Sequence, residues 1–444
     1  MTNRSFVSMN IEEIAGELEK ALIEDRGTIL NAILEDNQPM LKKLCTAKIK
    51  RCEPNIGSYE WTCVHCASRW GRTSFLRKLC INNGVPLNPD DGKKRRPLWY
   101  ACAYGHIETV KVLLSSGCRK NYRDQNGCTA LHAASRYGFH DIATLLLDSG
   151  AQNSIIDRKG LQAIHKAAYG GHVNVLQELI MRNADVNART FKGTTALHLA
   201  VHNGDIVTVK YLISQGANVN VGSTNNLTPL HIAALNGYDE IAEMLIQARA
   251  ITNSQDLNGE TPLHAACSKN RNKVVKVLLA NRAKVTIVNN ENWTCVHTAA
   301  FCGSTKAITE LLKKYKRSPY DVTRLGSTPL HLAVQGRHID AAKVILQNTD
   351  IVDVNAQNND GRTALYVAAQ NGHTQMAKIL IENGAAVNIC EGHDWSPLHV
   401  ATKLGHHKMA GLLIEKGAHV LQSISSLSWR NLIYSLFTMS YRLL

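Results

Sequence analysis

Eleven times along these 444 residues, a short motif returns at almost the same interval. In full form it reads Thr-x-Leu-His, then Ala-Ala, then Gly. Thr-Ala-Leu-His stands at 129–132 and 195–198; Thr-Pro-Leu-His stands at 228–231, 261–264 and 328–331. With the weaker matches, the anchors are Thr62, Arg96, Thr129, Gln162, Thr195, Thr228, Thr261, Thr294, Thr328, Thr363 and Ser396, separated by 33 to 35 residues. Such a period constrains the fold more than any composition can. Each unit is too small to bury its own apolar faces, so neighbours must stack to complete one core. The 44% of apolar residues suffices for such a core. A long chain would otherwise be divided into domains of about 100–200 residues.

Residues 190–222 illustrate one unit. Gly193 lies in a polar turn and can adopt positive φ. Thr195 is a helix N-cap, its hydroxyl able to accept a backbone N–H. Sister repeats place Pro229, Pro262 and Pro329 next, at the first helical position, where a missing N–H costs nothing. A short helix carries Leu197, Leu199 and Ala200, and Gly204 ends it. Asp205 starts a second helix with Ile206, Val209, Leu212 and Ile213 at helical spacing, closed by Gly216. The spacing therefore predicts an all-α repeat solenoid.

These residues resemble the ankyrin repeat: Thr-Pro-Leu-His-x-Ala-Ala-x-x-Gly-His, then Val-x-x-Leu-Leu-x-x-Gly-Ala-x-Val-Asn. The resemblance covers roughly residues 57–423, with repeats starting near 57, 91, 124, 157, 190, 223, 256, 289, 323, 358 and 391. It implies antiparallel helix pairs with protruding β-hairpin loops, and protein binding on a concave side made by loop tips and first helices. It also implies that the recurrent His ties neighbouring loops together.

Outside the array, residues 28–56 fit the register as a degenerate capping repeat with Thr28 as anchor. Residues 1–27 contain an amphipathic helix with Ile11, Ile14, Leu18 and Leu22 on one side. The tail at 424–444 is apolar and aromatic, and is expected either to cover the last repeat or to touch a membrane surface. Within the array, Arg96-Pro97-Leu98-Trp99 lacks both cap and His, Asn270 and Arg337 replace the mid-repeat Gly, and extra residues fall near Asn348 to Ile351.

The chain carries a net charge of +14, and it is uneven. Residues 42–96 hold thirteen Lys and Arg against four Asp and Glu, a balance of +9. Such a patch suits an acidic protein, a phosphorylated segment, nucleic acid or an anionic membrane, or else is a solvated face that keeps the chain soluble; no nucleic-acid motif is present, which disfavours that partner. No secretory signal and no apolar run long enough for a transmembrane span is found. The twelve Cys fall mostly at core-facing helix positions and read as reduced thiols. A cytoplasmic location is expected, with nuclear entry open if Lys93 to Pro97 serves as an import signal.

Chemistry leaves few traces. Cys63-Val-His-Cys66 looks like half a zinc site, but Cys63 merely takes the Pro position, as Cys295 does later. His65, His132, His165, His198, His231, His264, His297, His331 and His399 recur with the repeat and read as structural. Phosphate-loop, dinucleotide-binding, nucleophile-elbow and zinc-protease motifs are missing, so neither enzyme activity nor cofactor nor metal is expected. Asn187, in Leu179-x-x-x-x-x-Asp185-Val186-Asn187, resembles the site hydroxylated in ankyrin repeats by an oxygen-sensing asparaginyl hydroxylase.

The residues just before the mid-repeat Gly are not fixed by packing. In the first four repeats they include Arg69, Trp70, Tyr104, Arg136, Tyr137 and Tyr169, with Tyr59, Trp61, Lys94 and Arg95 on loops beside them. Trp, Tyr and Arg dominate interface hot spots. The expected function is a monomeric, non-enzymatic scaffold or adaptor, with a regulatory subunit as a special case. The alternative is a membrane-associated array, of the membrane-skeleton linker or latrotoxin-like kind, anchored by the apolar tail.

Overall fold

The computed structural model describes residues 63–77, 87–314, 321–347, 352–392 and 394–419. The capping repeat, the N-terminal helix, the insertion near Asn348 to Ile351 and the tail at 424–444 all lie outside these residues. The chain divides into two compact units, Met1–Ala217 and Asn218–Leu444.

In the first unit the helices are α1 (Cys63–Arg69), α2 (Thr73–Arg77), α3 (Pro97–Ala103), α4 (Ile107–Ser115), α5 (Ala130–Tyr137), α6 (His140–Asp148), α7 (Ala163–Gly170), α8 (Val173–Met181), α9 (Ala196–Asn203) and α10 (Ile206–Ser214). The second unit continues with α11 (Pro229–Asn236), α12 (Asp239–Gln247), α13 (Pro262–Ser268), α14 (Asn272–Ala280), α15 (Cys295–Phe301), α16 (Thr305–Lys314), α17 (Pro329–Gln335), α18 (Ile339–Leu346), α19 (Ala364–Gln370), α20 (Thr374–Glu382), α21 (Pro397–Lys403) and α22 (His407–Glu415). Within each unit a first helix packs on the first helices of its neighbours, second helices do the same, and each pair packs on itself. The fold is an all-α repeat solenoid, as the period implies, and no strand is assigned among the described residues.

Core positions follow the pattern seen in 190–222. Leu197, Ala200, Val209 and Leu212 are fully buried. The Ala pair between first helices, such as Ala133 and Ala134 or Ala167 and Ala168, is buried and lets adjacent repeats approach closely. Leu199 is only half-buried, because position 199 turns partly out of the stack.

The loops close as hairpin turns. An Asp or Asn five residues before the anchor accepts two backbone N–H groups: Asp124 from Asn126 and Cys128, Asp157 from Lys159 and Leu161, Asp256 from Asn258 and Glu260. One backbone bond then ties each tip to its neighbour, as in Arg158 N–H to Asn126 O and Asn290 N–H to Asn258 O. The mid-repeat Gly meets two demands. Gly138 has φ of 80°, and an added Cβ would come within 2.4 Å of the His172 ring of the next repeat. Asn270 and Arg337 keep the left-handed backbone, with φ of 53° and 64°, at a strain glycine would not carry.

Candidate functional site

The recurrent His supplies the scaffold that positions everything else. His132 Nδ1 accepts the Thr129 N–H at 3.2 Å, so the proton sits on Nε2, which donates to Leu161 O of the next loop at 2.9 Å. The Thr129 hydroxyl accepts the His132 N–H, completing the cap. The same rung joins His231 to Glu260 O, His264 to Trp293 O and His331 to Arg362 O. Burial holds these imidazoles neutral: His132, His264 and His297 are pushed down to about 4, and His65, His165, His231 and His331 are lowered. A second row of contacts links helix ends. His106 Nε2 reaches Arg69 O at 2.7 Å and His172 Nε2 reaches Arg136 O at 3.0 Å.

On this frame the first helices of the early repeats end in a row of aromatic and basic side chains. The Arg69 guanidinium lies 5.5 Å from the Trp70 ring centre and 4.9 Å from that of Tyr104. One step on, Arg136 sits 6.0 Å from the centre of the Tyr169 ring. Tyr104, Tyr137 and Tyr169 remain 45%, 50% and 46% exposed. These rings are neither buried in the core nor covered by the loops, and each Arg bridges to the aromatic of the following repeat. Tyr59 and Trp61 lie outside the described residues.

The basic run at the second loop is exposed only in part. Lys94 is exposed, whereas Arg95 and Arg96 fold back onto the repeat. Arg95 stacks 4.3 Å from the Trp99 ring centre and stands 3.8 Å from Asp124. Arg96 bonds Asp90 at 2.9 Å and covers the Tyr122 ring at 3.3 Å. The two guanidiniums find aromatic faces because Trp99 replaces His and Tyr122 rises from the next loop. Sequence reading missed Trp99, Arg119, Lys120 and Tyr122 as neighbours of this run; the signal was the departure at 96–99 itself.

Asn187 is half-buried. Its Nδ2 donates to Gly216 O at 3.3 Å and its backbone N–H bonds Asp185 at 2.9 Å, so the amide belongs to a rung between loops. Among the described residues no group of three His, Cys, Asp or Glu is placed to hold a metal. Cys102, Cys118, Cys267 and Cys295 are buried, whereas Cys302 is exposed and Cys66, Cys128 and Cys390 are intermediate. No helix among the described residues is long and apolar enough to cross a membrane.

Comparison with known proteins agrees with this geometry. A family model described as Ankyrin repeats (3 copies) matches overlapping stretches at 29–124, 73–157, 98–190, 164–256, 197–289, 246–322, 283–357 and 351–423. A Transient receptor potential cation channel subfamily A member 1 homolog of Caenorhabditis elegans is 33% identical over 69 residues, 16% of this chain and 6% of that protein. The shared length equals about two repeats, so the chain spans only a small fraction of that relative.

Proposed function

Because the chain belongs to the ankyrin-repeat family, we propose that it is a non-enzymatic scaffold that holds a partner protein on the exposed ends of the first helices in repeats one to four. The observation that carries this reading is the row Arg69, Trp70, Tyr104, Arg136, Tyr137 and Tyr169. Side chains of these types bury much area and keep a polar handle; here the three Tyr stay about half exposed, and Trp70, Tyr104 and Tyr169 are pre-stacked by cation–π contacts with Arg69 and Arg136. Pre-stacking lowers the ordering cost of binding. The basic balance of the N-terminal region supports an acidic or phosphorylated segment as the ligand, and a regulatory subunit is one form such a scaffold takes. The name of the nematode relative is that of a cation channel, but 6% of its length does not extend channel activity to this chain.

The test is a cross-linked pull-down with the full chain against Trp70→Ala, Tyr104→Ala, Arg136→Ala and Tyr137→Ala combined. Partners lost only with the variant place binding on this row; each true anchor is worth about 2 kcal/mol or more. Equal recovery from both baits would sink the row as the site. Asn187 hydroxylation is a separate proposal: co-expression with an asparaginyl hydroxylase should add one oxygen to the peptide containing it, and an unchanged peptide mass refutes it.

A further inference from the structure

The seam between the second and third repeats is built unlike its sisters. Where most repeats use a Thr and a His to cap the helix and reach the next loop, this one has Arg96 and Trp99. Arg96 gives α3 no side-chain cap, and the Trp99 indole N–H finds no acceptor. Lys94 holds φ of 55° at a hairpin position that Gly127, Gly160, Gly193 and Gly259 fill in neighbouring loops. The missing rung leaves a small cleft lined by Arg95, Arg96, Trp99, Arg119, Tyr122 and the acidic Asp124, among others, with about 10 Å³ of space inside. That is room for roughly one water-sized atom group.

Two N–H groups of this wall, Arg96 Nη1 and Trp99 Nε1, are shut from solvent without an acceptor, while Arg95 Nε faces Asp124 at 3.8 Å. Nearby carboxylates are already engaged. Asp90 holds Arg96 and the Tyr122 hydroxyl, Asp91 holds the Lys93 and Arg95 N–H groups and the Tyr100 hydroxyl, and Asp124 holds the Asn126 and Cys128 N–H groups and pairs with Arg95. Unpaired buried donors are costly, and an oxyanion would relieve that cost at both.

We propose that this cleft receives one oxygen of a phosphoryl group carried on a segment of a partner protein. The assignment rests on the reading of the chain as a protein-binding scaffold. Two orphan donors inside and two exposed cations, Lys94 and Arg119, at the rim can serve the three terminal oxygens of a phosphate more fully than the two of a carboxylate. A nucleotide is a poorer fit, because the Trp99 and Tyr122 faces are already covered by Arg95 and Arg96 and offer no platform for a base.

The experiment titrates the full chain with a fluorescent degenerate peptide pool carrying one fixed phosphoserine, and with the same pool carrying serine. The phosphoserine pool should bind about tenfold or more tightly. Arg96→Thr with Trp99→His restores the rung of the other repeats, so this variant should melt no lower than the parent yet lose the preference. Arg119→Glu, an exposed change, should lose it as well, and serves if the double variant does not fold. No preference, or one unchanged in both variants, overturns the proposal. So does inorganic phosphate competing as well as the peptide, or binding only to vesicles containing phosphoinositides. The Trp70, Tyr104, Arg136 and Tyr137 variant leaves the cleft intact and should keep the phosphoserine preference, so failure of the aromatic row and failure of the cleft read out separately.

Discussion

A single imidazole does three jobs in this fold: it accepts the anchor N–H, caps a helix with its own backbone and donates across to the next repeat. Protonation ends the first job, because Nδ1 then carries a hydrogen against the Thr N–H. Unfolded imidazoles titrate near 6.5 and the folded His132, His264 and His297 near 4. Between those values the unfolded chain binds more protons. Stability is therefore complete above about pH 6.5 and is lost as pH falls toward 4, by roughly 3 kcal/mol for each of the three. Urea unfolding at stepped pH should show a falling midpoint over that window; a flat midpoint would refute neutral imidazoles. Removing one rung isolates the effect. His264→Ala leaves the Thr261 N–H and Trp293 O without their partner and should cost about 2–4 kcal/mol in denaturant unfolding. The opposite sign is expected at Arg337, whose left-handed φ of 64° glycine adopts without strain. Arg337→Gly should raise the unfolding free energy by about 1 kcal/mol.

At the scale of the element, the helices were legible from the chain because caps and breakers punctuate every repeat. Thr195 and Gly204 bound α9, Asp205 caps α10, and Gly216 closes it with φ of 80°, as their residue types require. The candidate row was legible in part. Repeat register shows that Trp70, Tyr104 and Tyr137 occupy equivalent positions, and that Arg69 and Arg136 share the position before them. It does not show that Arg69 reaches the Tyr104 ring, 35 residues away, since side-chain direction across a seam depends on packing. The folding-back of Arg95 and Arg96 was hidden for the same reason: a run of four basic residues reads as a solvated tip until a Trp beside it offers a face. Packing also sets what an element can lose. Leu212 is fully buried between α10 and its neighbours, so Leu212→Ala should cost about 2–5 kcal/mol, read as a lower urea midpoint.

For the whole molecule, long-range order is assembled from contacts with the next repeat alone. Rungs such as His264 to Trp293 O span 29 residues, and helix-end contacts such as His406 to Gln370 O span 36. Damage should therefore stay local. Within the second unit, Leu245→Ala, at a fully buried site of α12, should speed hydrogen exchange in 218–280 while leaving the amides of α19 to α22 protected. Equal acceleration throughout the unit would show that its repeats open together instead.

The His rung has a consequence for how such a chain can change length. A rung is shared property: its donor lies in one repeat and its acceptor in the next, 29 residues on at His132, His231 and His264 and 31 on at His331. Deleting or duplicating a whole repeat brings an identical donor to an identical carbonyl, so splicing by whole units leaves the bonding grammar intact. A cut of a few residues inside a unit severs two seams at once. Two repeats depart from this, the second with Trp99 and the one anchored at Thr363 with Tyr366, since neither side chain can pass an imidazole bond on. Duplicating the second would copy the cleft rather than the rung, which makes such repeats the punctuation of the array and the His-bearing ones its interchangeable letters.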